Sequence, residues 1–236
     1  MTDAPERPDF SVCDNEQTMK IVESTLYSLW SAANELARIR PRSPRFRVTL
    51  FGSSRITEGD PTYREVVELC RRLAERGCDI VTGGGPGLMQ AANEGERLGD
   101  RAGRTRSLGI RVSLPFEQGV NPFVEQVYFH RSFFTRLHHF VRVSDAFVVV
   151  PGGIGTTLEL LMVWQLLQVR QMSGVPLLVL GSMWQELVEW ARRHMVGGPT
   201  RLASPEDVEI PVCVRSADEA FTILAARIDE SEAGHV

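Results

Sequence analysis

From about residue 46 onward, short apolar runs alternate with stretches whose apolar positions recur every three to four residues. Runs of the first kind predict buried strands and those of the second predict amphipathic helices. The strands fall at Phe46–Phe51, Asp79–Thr82, Ser107–Leu114, Ala146–Val150 and Pro176–Leu180. Between and after them the pattern predicts helices over Tyr63–Arg76, Leu88–Leu98, Arg131–Val143, from PGGIGT to about Met172, Trp184–Met195 and Ala217–Ile228. Upstream, Ile21, Leu26, Leu29, Trp30, Ala33 and Leu36 place a helix over residues 15–38. The basic stretch RIRPRSPRFR (38–47) reads as a proline-broken connector in preference to an anion-binding strip. Strands of four to six apolar residues alternating with helices imply an α/β fold. Its sheet would be doubly wound and mainly parallel, with helices on both faces and the N-terminal helix added. The expected organisation is an N-terminal extension and linker over residues 1–45, followed by one α/β domain over 46–236.

Composition removes several classes of function. Apolar residues make up 43% of the 236, enough for a full core, and the net charge of -4 disfavours a nucleic-acid partner. Lys20 is the only lysine and is far in sequence from every glycine loop. A Schiff-base or pyridoxal-phosphate enzyme, and a P-loop, each need a lysine in the site. Cys13, Cys70, Cys78 and Cys213 form no C-x-x-C pair, so neither zinc nor a redox dithiol is expected. The polar N-terminus and the lack of a long apolar span point to the cytoplasm, with no membrane partner.

Three predicted strands end in small residues: Gly52-Ser53-Ser54, the GGGPG of residues 83–87, and the PGGIGT of residues 151–156. In a doubly wound sheet these ends share the edge where ligands bind. Glycine lets backbone approach a ligand, and the helix that follows offers free N–H groups and a positive dipole end. Neither GSSRIT nor GPGLMQ satisfies the dinucleotide fingerprint, so a mononucleotide or sugar phosphate is the expected anion. Glu159 stands three residues after Thr156. It either closes a capping box or presents a carboxylate to the ligand. Arg136, among Phe133, Phe134 and Phe140, either stacks on aromatics or reaches into the site. His138 and His139 are adjacent and lack metal-pair spacing. Cys70 and Cys78 have no evident base and read as inert thiols.

Taken together, TGGGPGLMQAANEG (82–95), LPFEQGVNPFV (114–124), FFTRL (133–137) and PGGIGTTLE (151–159) resemble the LOG family, long labelled "possible lysine decarboxylase". The family signature PGGxGTxxE is complete, and FGSSR (51–55) with the N-terminal helix looks like its longer bacterial branch. The resemblance covers roughly residues 46–200. It implies a Rossmann-like fold and a homodimer; the mechanism expected of these residues requires no cofactor and no metal. The implied activity is hydrolysis of the N-glycosidic bond of a nucleoside 5′-monophosphate, AMP-like or cytokinin-like, to free base and ribose 5-phosphate. On this resemblance Arg136 and Glu159 are the catalytic positions, and Gly152, Gly153, Gly155 and Thr156 hold the phosphate. Gly52, Ser53, Ser54, Gly84, Gly85, Gly87 and Met89 complete the expected substrate-binding set. One difference from the family is Leu137, where lysine is usual; another is Thr157-Leu158 before the signature glutamate. A non-catalytic nucleotide or phosphorylated-cofactor carrier is the alternative. The long helix after PGGIGT, apolar around most of its circumference, suits a central core helix or a subunit interface.

Overall fold

The computed structural model describes residues 15–37, 45–112, 119–130 and 132–233. They fall into two units divided between Pro44 and Arg45. The first holds one helix, α1 (Asn15–Ala37), which carries Lys20. The second runs β1 (Arg47–Phe51), α2 (Pro61–Glu75), β2 (Asp79–Thr82), α3 (Leu88–Gly99), β3 (Ser107–Val112), β4 (Gln126–His130), α4 (Phe133–Val143) and β5 (Ala146–Val149). It continues with α5 (Ile154–Gln168), β6 (Leu177–Leu180), α6 (Ser182–Ala191) and a π-helical turn (Arg192–Val196). It ends with α7 (Pro205–Val208), β7 (Pro211–Val214) and α8 (Ala217–Ala233).

The seven strands form one sheet in the order β4-β3-β2-β1-β5-β6-β7, and every neighbouring pair is parallel. Alternate residues of each strand point to opposite faces, so both faces bury apolar surface. Val48, Leu50, Ile80, Val148 and Leu178 pack with residues of α2, α3 and α8. Phe51, Val81, Ile110, Phe147 and Val149 pack on the other face with Phe140 of α4, Leu160 of α5 and Trp184 of α6. The sheet is therefore doubly wound and Rossmann-like. Strand order reverses between β1 and β5, which opens a crevice at their carboxyl ends.

Local chemistry sets the boundaries. Asp60 caps α2 by accepting from the Thr62 N–H at 2.7 Å, with Pro61 in the first turn. At the opposite sheet edge, buried Asp79 accepts from Arg45 Nε at 2.6 Å and Arg47 Nε at 3.2 Å. These two arginines of the basic connector thus serve the fold. α4 begins at Phe133, capped by Ser132, and the expected start at Arg131 lies outside the described residues. α5 ends at Gln168, short of Met172, and Arg170 takes a left-handed φ of 58°. Two strands and one short helix went unpredicted: β4, β7 and α7.

Candidate functional site

The three small-residue turns meet at the reversal point. The Ser53 N–H donates to Pro151 O at 3.0 Å, and the Leu88 N–H donates to Ser53 O at 2.8 Å. The turn after β1 is thus stitched to the turns after β5 and β2. Gly87 takes φ +72°, and a Cβ there would collide with the Ser53–Ser54 backbone, so only glycine allows this approach. Gly84, Gly85 and Gly87 are buried, while Ser54, Gly153 and Gly155 are exposed. Nothing lies within 4 Å of where a side chain at Gly153 or Gly155 would start, so these two glycines border open space.

α5 starts at this turn. Its N-cap is Gly153, which offers no side-chain hydrogen bond. Thr156 therefore sits in the first helical turn, and Glu159 one turn deeper. This register excludes the capping box allowed by the Thr-x-x-Glu spacing, because Glu159 is too far along to reach back to the N-cap. The first-turn N–H groups keep their capacity for an anion.

Glu159 pairs instead with Arg136. Arg136 Nη1 stands 2.9 Å from Glu159 Oε1, and the two side chains are 13% and 10% exposed. Four elements fix the guanidinium. Its Nε donates to Ile110 O of β3 at 2.9 Å. Its charged carbon lies 5.0 Å from the Phe140 ring centroid of α4. A Cβ on Gly83, after β2, would approach Nη2 to 2.7 Å, so a side chain there would displace the guanidinium from this position. The carboxylate of α5 completes the set. Arg136 both rests against an aromatic and reaches the carboxylate, so the two sequence alternatives are realised together. Burial pushes the Glu159 carboxyl above the usual carboxylate range, and Arg136 pulls in the opposite direction.

Met89, in the first turn of α3, lies beside the same loop: a Cβ on Gly83 would come within 2.8 Å of its Sδ, and one on Gly85 within 2.8 Å of its Cε. The geometry thus gathers the three turns, Met89, Thr156, Arg136 and Glu159 at one edge of the sheet. Leu137 turns inward and is 7% exposed. His139 shares a hydrogen bond of 2.9 Å with His130. Burial holds His139 down at about 4, so it is neutral at physiological pH. Burial lifts the thiol of Cys78 to about 12, and that of Cys70 higher still. Both are therefore poor nucleophiles. Among the described residues, no group of three or more His, Cys, Asp or Glu could hold a metal ion, and no helix is long and apolar enough to cross a membrane.

Sequence reasoning did not single out Thr82, Asn93, Arg111 or Asn121, all buried and polar beneath the second turn. One signal was readable: Asn93 falls on the buried stripe of its helix, among Leu88, Ala91, Ala92 and Gly95, where an amide calls for a partner.

A parallel, doubly wound sheet with small-residue turns and a buried Arg–Glu pair at its crevice defines a Rossmann-like α/β protein. The family model described as "Possible lysine decarboxylase" matches residues 89–224, more than half the chain, and the chain belongs to that family, the LOG family. A pyrimidine/purine nucleotide 5′-monophosphate nucleosidase of Escherichia coli is 32% identical over 118 residues, covering 48% of this chain and 26% of that longer protein. A probable cytokinin riboside 5′-monophosphate phosphoribohydrolase of Oryza sativa is 30% identical over 174 residues, covering 66% of this chain and 80% of the relative. Among solved structures, the molybdenum cofactor binding protein of Rippkaea orientalis shares the fold with a TM-score of 0.56 at 19% identity, covering 80% of this chain and 99% of that one.

Proposed function

We propose that this protein hydrolyses the N-glycosidic bond of a nucleoside 5′-monophosphate, releasing the free base and ribose 5-phosphate. The observation that carries the reading is the buried Arg136–Glu159 pair, set one helical turn behind the uncapped N-terminus of α5. The names of the Escherichia coli and Oryza sativa relatives support the same chemistry.

In this reading the 5′-phosphate rests on the amides of Gly152 to Thr156, with Ser53, Ser54 and the Gly84–Gly87 turn around the sugar. That remote grip positions the scissile bond. Cleavage builds positive charge on the ribose, as in glycoside hydrolysis. The Glu159 carboxylate stabilises that charge and accepts a proton from the attacking water. Arg136 holds the carboxylate in place and keeps enough of it ionised to work. A carboxylate whose affinity for a proton is raised by burial is a stronger base than a solvated one, which suits this role. Residues of this chain supply each of these roles without a cofactor. The working unit in this proposal is a homodimer acting in the cytoplasm.

The test is a screen of nucleoside monophosphates for base release by chromatography, with Glu159→Ala alongside. Wild-type protein should release base, and Glu159→Ala should lose about a hundredfold or more in turnover while keeping its fold. Undiminished turnover in the variant would remove Glu159 from the mechanism. Tight nucleotide binding with no base release would make the protein a carrier.

A further inference from the structure

Beneath the second glycine turn lies a closed set of side-chain hydrogen bonds that the proposed chemistry does not use. Thr82 Oγ1, at the end of β2, donates to Asn93 Oδ1 at 2.8 Å and accepts from the Gly84 N–H at 2.9 Å. Asn93 Nδ2 donates to Ser107 Oγ of β3 at 2.8 Å. Asn121 Nδ2 donates to Asn93 Oδ1 at 3.0 Å and to Gly85 O at 2.9 Å, while its own N–H donates to Gly84 O at 3.0 Å. Asn121 Oδ1 accepts from the Phe123 N–H at 3.1 Å. Arg111 Nη1 adds bonds to Gly84 O at 3.2 Å and Gly119 O at 3.0 Å. Thr82, Asn93 and Ser107 are 0% exposed and Asn121 is 6% exposed.

A helix–strand contact needs no such network, since alanine and valine would fill the same space without the cost of burying amides. What the network does specify is the backbone of Gly84 and Gly85. The N–H and the carbonyl of Gly84 and the carbonyl of Gly85 are each held by a named side chain or by the Asn121 backbone. Gly83, one residue earlier, is the backbone on which the Arg136 guanidinium rests.

We infer that Thr82, Asn93 and Asn121 are positioning residues, whose buried network fixes the Gly83–Gly85 turn as the back wall for Arg136 and through it sets the Arg136–Glu159 pair. The inference rests on the hydrolase reading only for its kinetic consequence; the geometric consequence stands apart from it. Preorganisation of this kind acts on kcat, since a carboxylate misplaced by about an ångström loses on the order of a hundredfold. It also acts on the titration of Glu159, because Arg136 is the charged group that opposes its protonation. Burial disfavours protonation of His130, and the nearby Arg136 guanidinium adds to that effect.

Thr82→Val is nearly isosteric and suits a strand, yet deletes the hydroxyl; Thr82→Ser restores it. In the full chain, Thr82→Val should lower kcat about tenfold or more with KM within about threefold, and move the acid limb of kcat to higher pH. Thr82→Ser should return both to near the wild-type values. Asn121→Asp, which keeps size and the Phe123 bond but removes both donors, should behave like Thr82→Val. A lower melting temperature with unchanged kcat and acid limb would show a merely structural network and overturn the inference. Carbon-13 carboxyl NMR of Glu159 reads the geometry without substrate: the expected result is an upward move in Thr82→Val, and an unchanged titration overturns the inference even if no nucleotide is hydrolysed. Should the variants fail to fold, amide exchange in the wild-type protein decides. A Gly84 N–H held as described exchanges slowly, and exchange at the rate of an open loop would reject it.

Discussion

Glu159 and Arg136 show how one residue's meaning depends on the partners that the fold supplies. The sequence puts Glu159 three residues after a threonine, which suits a cap; the structure gives it a guanidinium. A lysine at position 136 would keep the charge but could not also bond Ile110 O and lie over Phe140. Arg136→Lys should therefore lower kcat about tenfold to a hundredfold, with Glu159 ionising at higher pH, checked by the pH profile of base release. A second carboxyl makes a separate prediction about stability. Glu96 is 1% exposed, accepts from Thr105 Oγ1 at 2.6 Å, and has no partner for its other oxygen among the described residues. Burial lifts its pKa from the usual 4.5 to about 7, reinforced by Glu125, Asp100 and Asp79 and opposed by the Thr105 bond. The folded state holds this proton more tightly than the unfolded chain does. Its stabilisation is therefore full below about pH 4.5 and is lost as pH rises through about 7. Glu96→Gln should remove that slope and gain about 1–2 kcal/mol relative to wild type at pH 8, read from urea unfolding at pH 5 and pH 8. A wild-type slope that persists in the variant would assign the effect to another group.

Elements were legible in proportion to how fully they are buried. The strands at the middle of the sheet, β1, β2 and β5, are almost wholly buried and appear in the sequence as short, mainly apolar or β-branched runs. The edge strands were missed for a physical reason. β4 (QVYFH) is intermediate or exposed along its whole length, and β7 (PVCV) begins with proline and buries only its two ends. An edge strand needs no continuous apolar run, because water covers one of its sides. The three turns and the Arg–Glu pair could be named from motif and spacing, but the network of Thr82, Asn93 and Asn121 joins three separate segments of the chain, and no local pattern announces it. The helix pair α2–α3 was visible as two amphipathic stripes, while the closeness of their packing was not. Gly95 brings α3 so near α2 that a Cβ would strike Val67 O and approach Cys70 Cβ to 2.9 Å. Gly95→Ala should accordingly destabilise the domain by about 1–3 kcal/mol despite the better helix propensity of alanine, measured as a fall in melting temperature. An unchanged or raised melting temperature would mean that the two helices can separate at no cost.

For the α/β unit as a whole, the two sides of α5 differ in what covers them. Its inner side is core, with Leu160 and Val163 fully buried. Its outer side is not polar: Ile154, Leu158 and Leu161 remain 88%, 48% and 46% exposed. Next to them a groove of about 420 Å³ runs between α5 and α6, lined by Leu161, Trp164, Leu187, Trp190, Met195 and Leu202. Exposed apolar side chains beside such a groove, which Gln165, Gln168 and Asp207 also line, suit an interaction surface. A second copy of the chain is the occupant proposed above, and a twofold axis along α5 would place the uncapped helix ends of both copies, and hence both Arg136–Glu159 pairs, close to the shared interface. Light scattering of the full chain should then return twice the chain mass. Leu161→Glu, which puts charge at the middle of the outer stripe and leaves the inner face intact, should return the single mass with the melting curve of a folded domain. A wild-type protein that scatters as one chain at micromolar concentration would separate the apolar face from self-association, and the site would then have to work within a single copy.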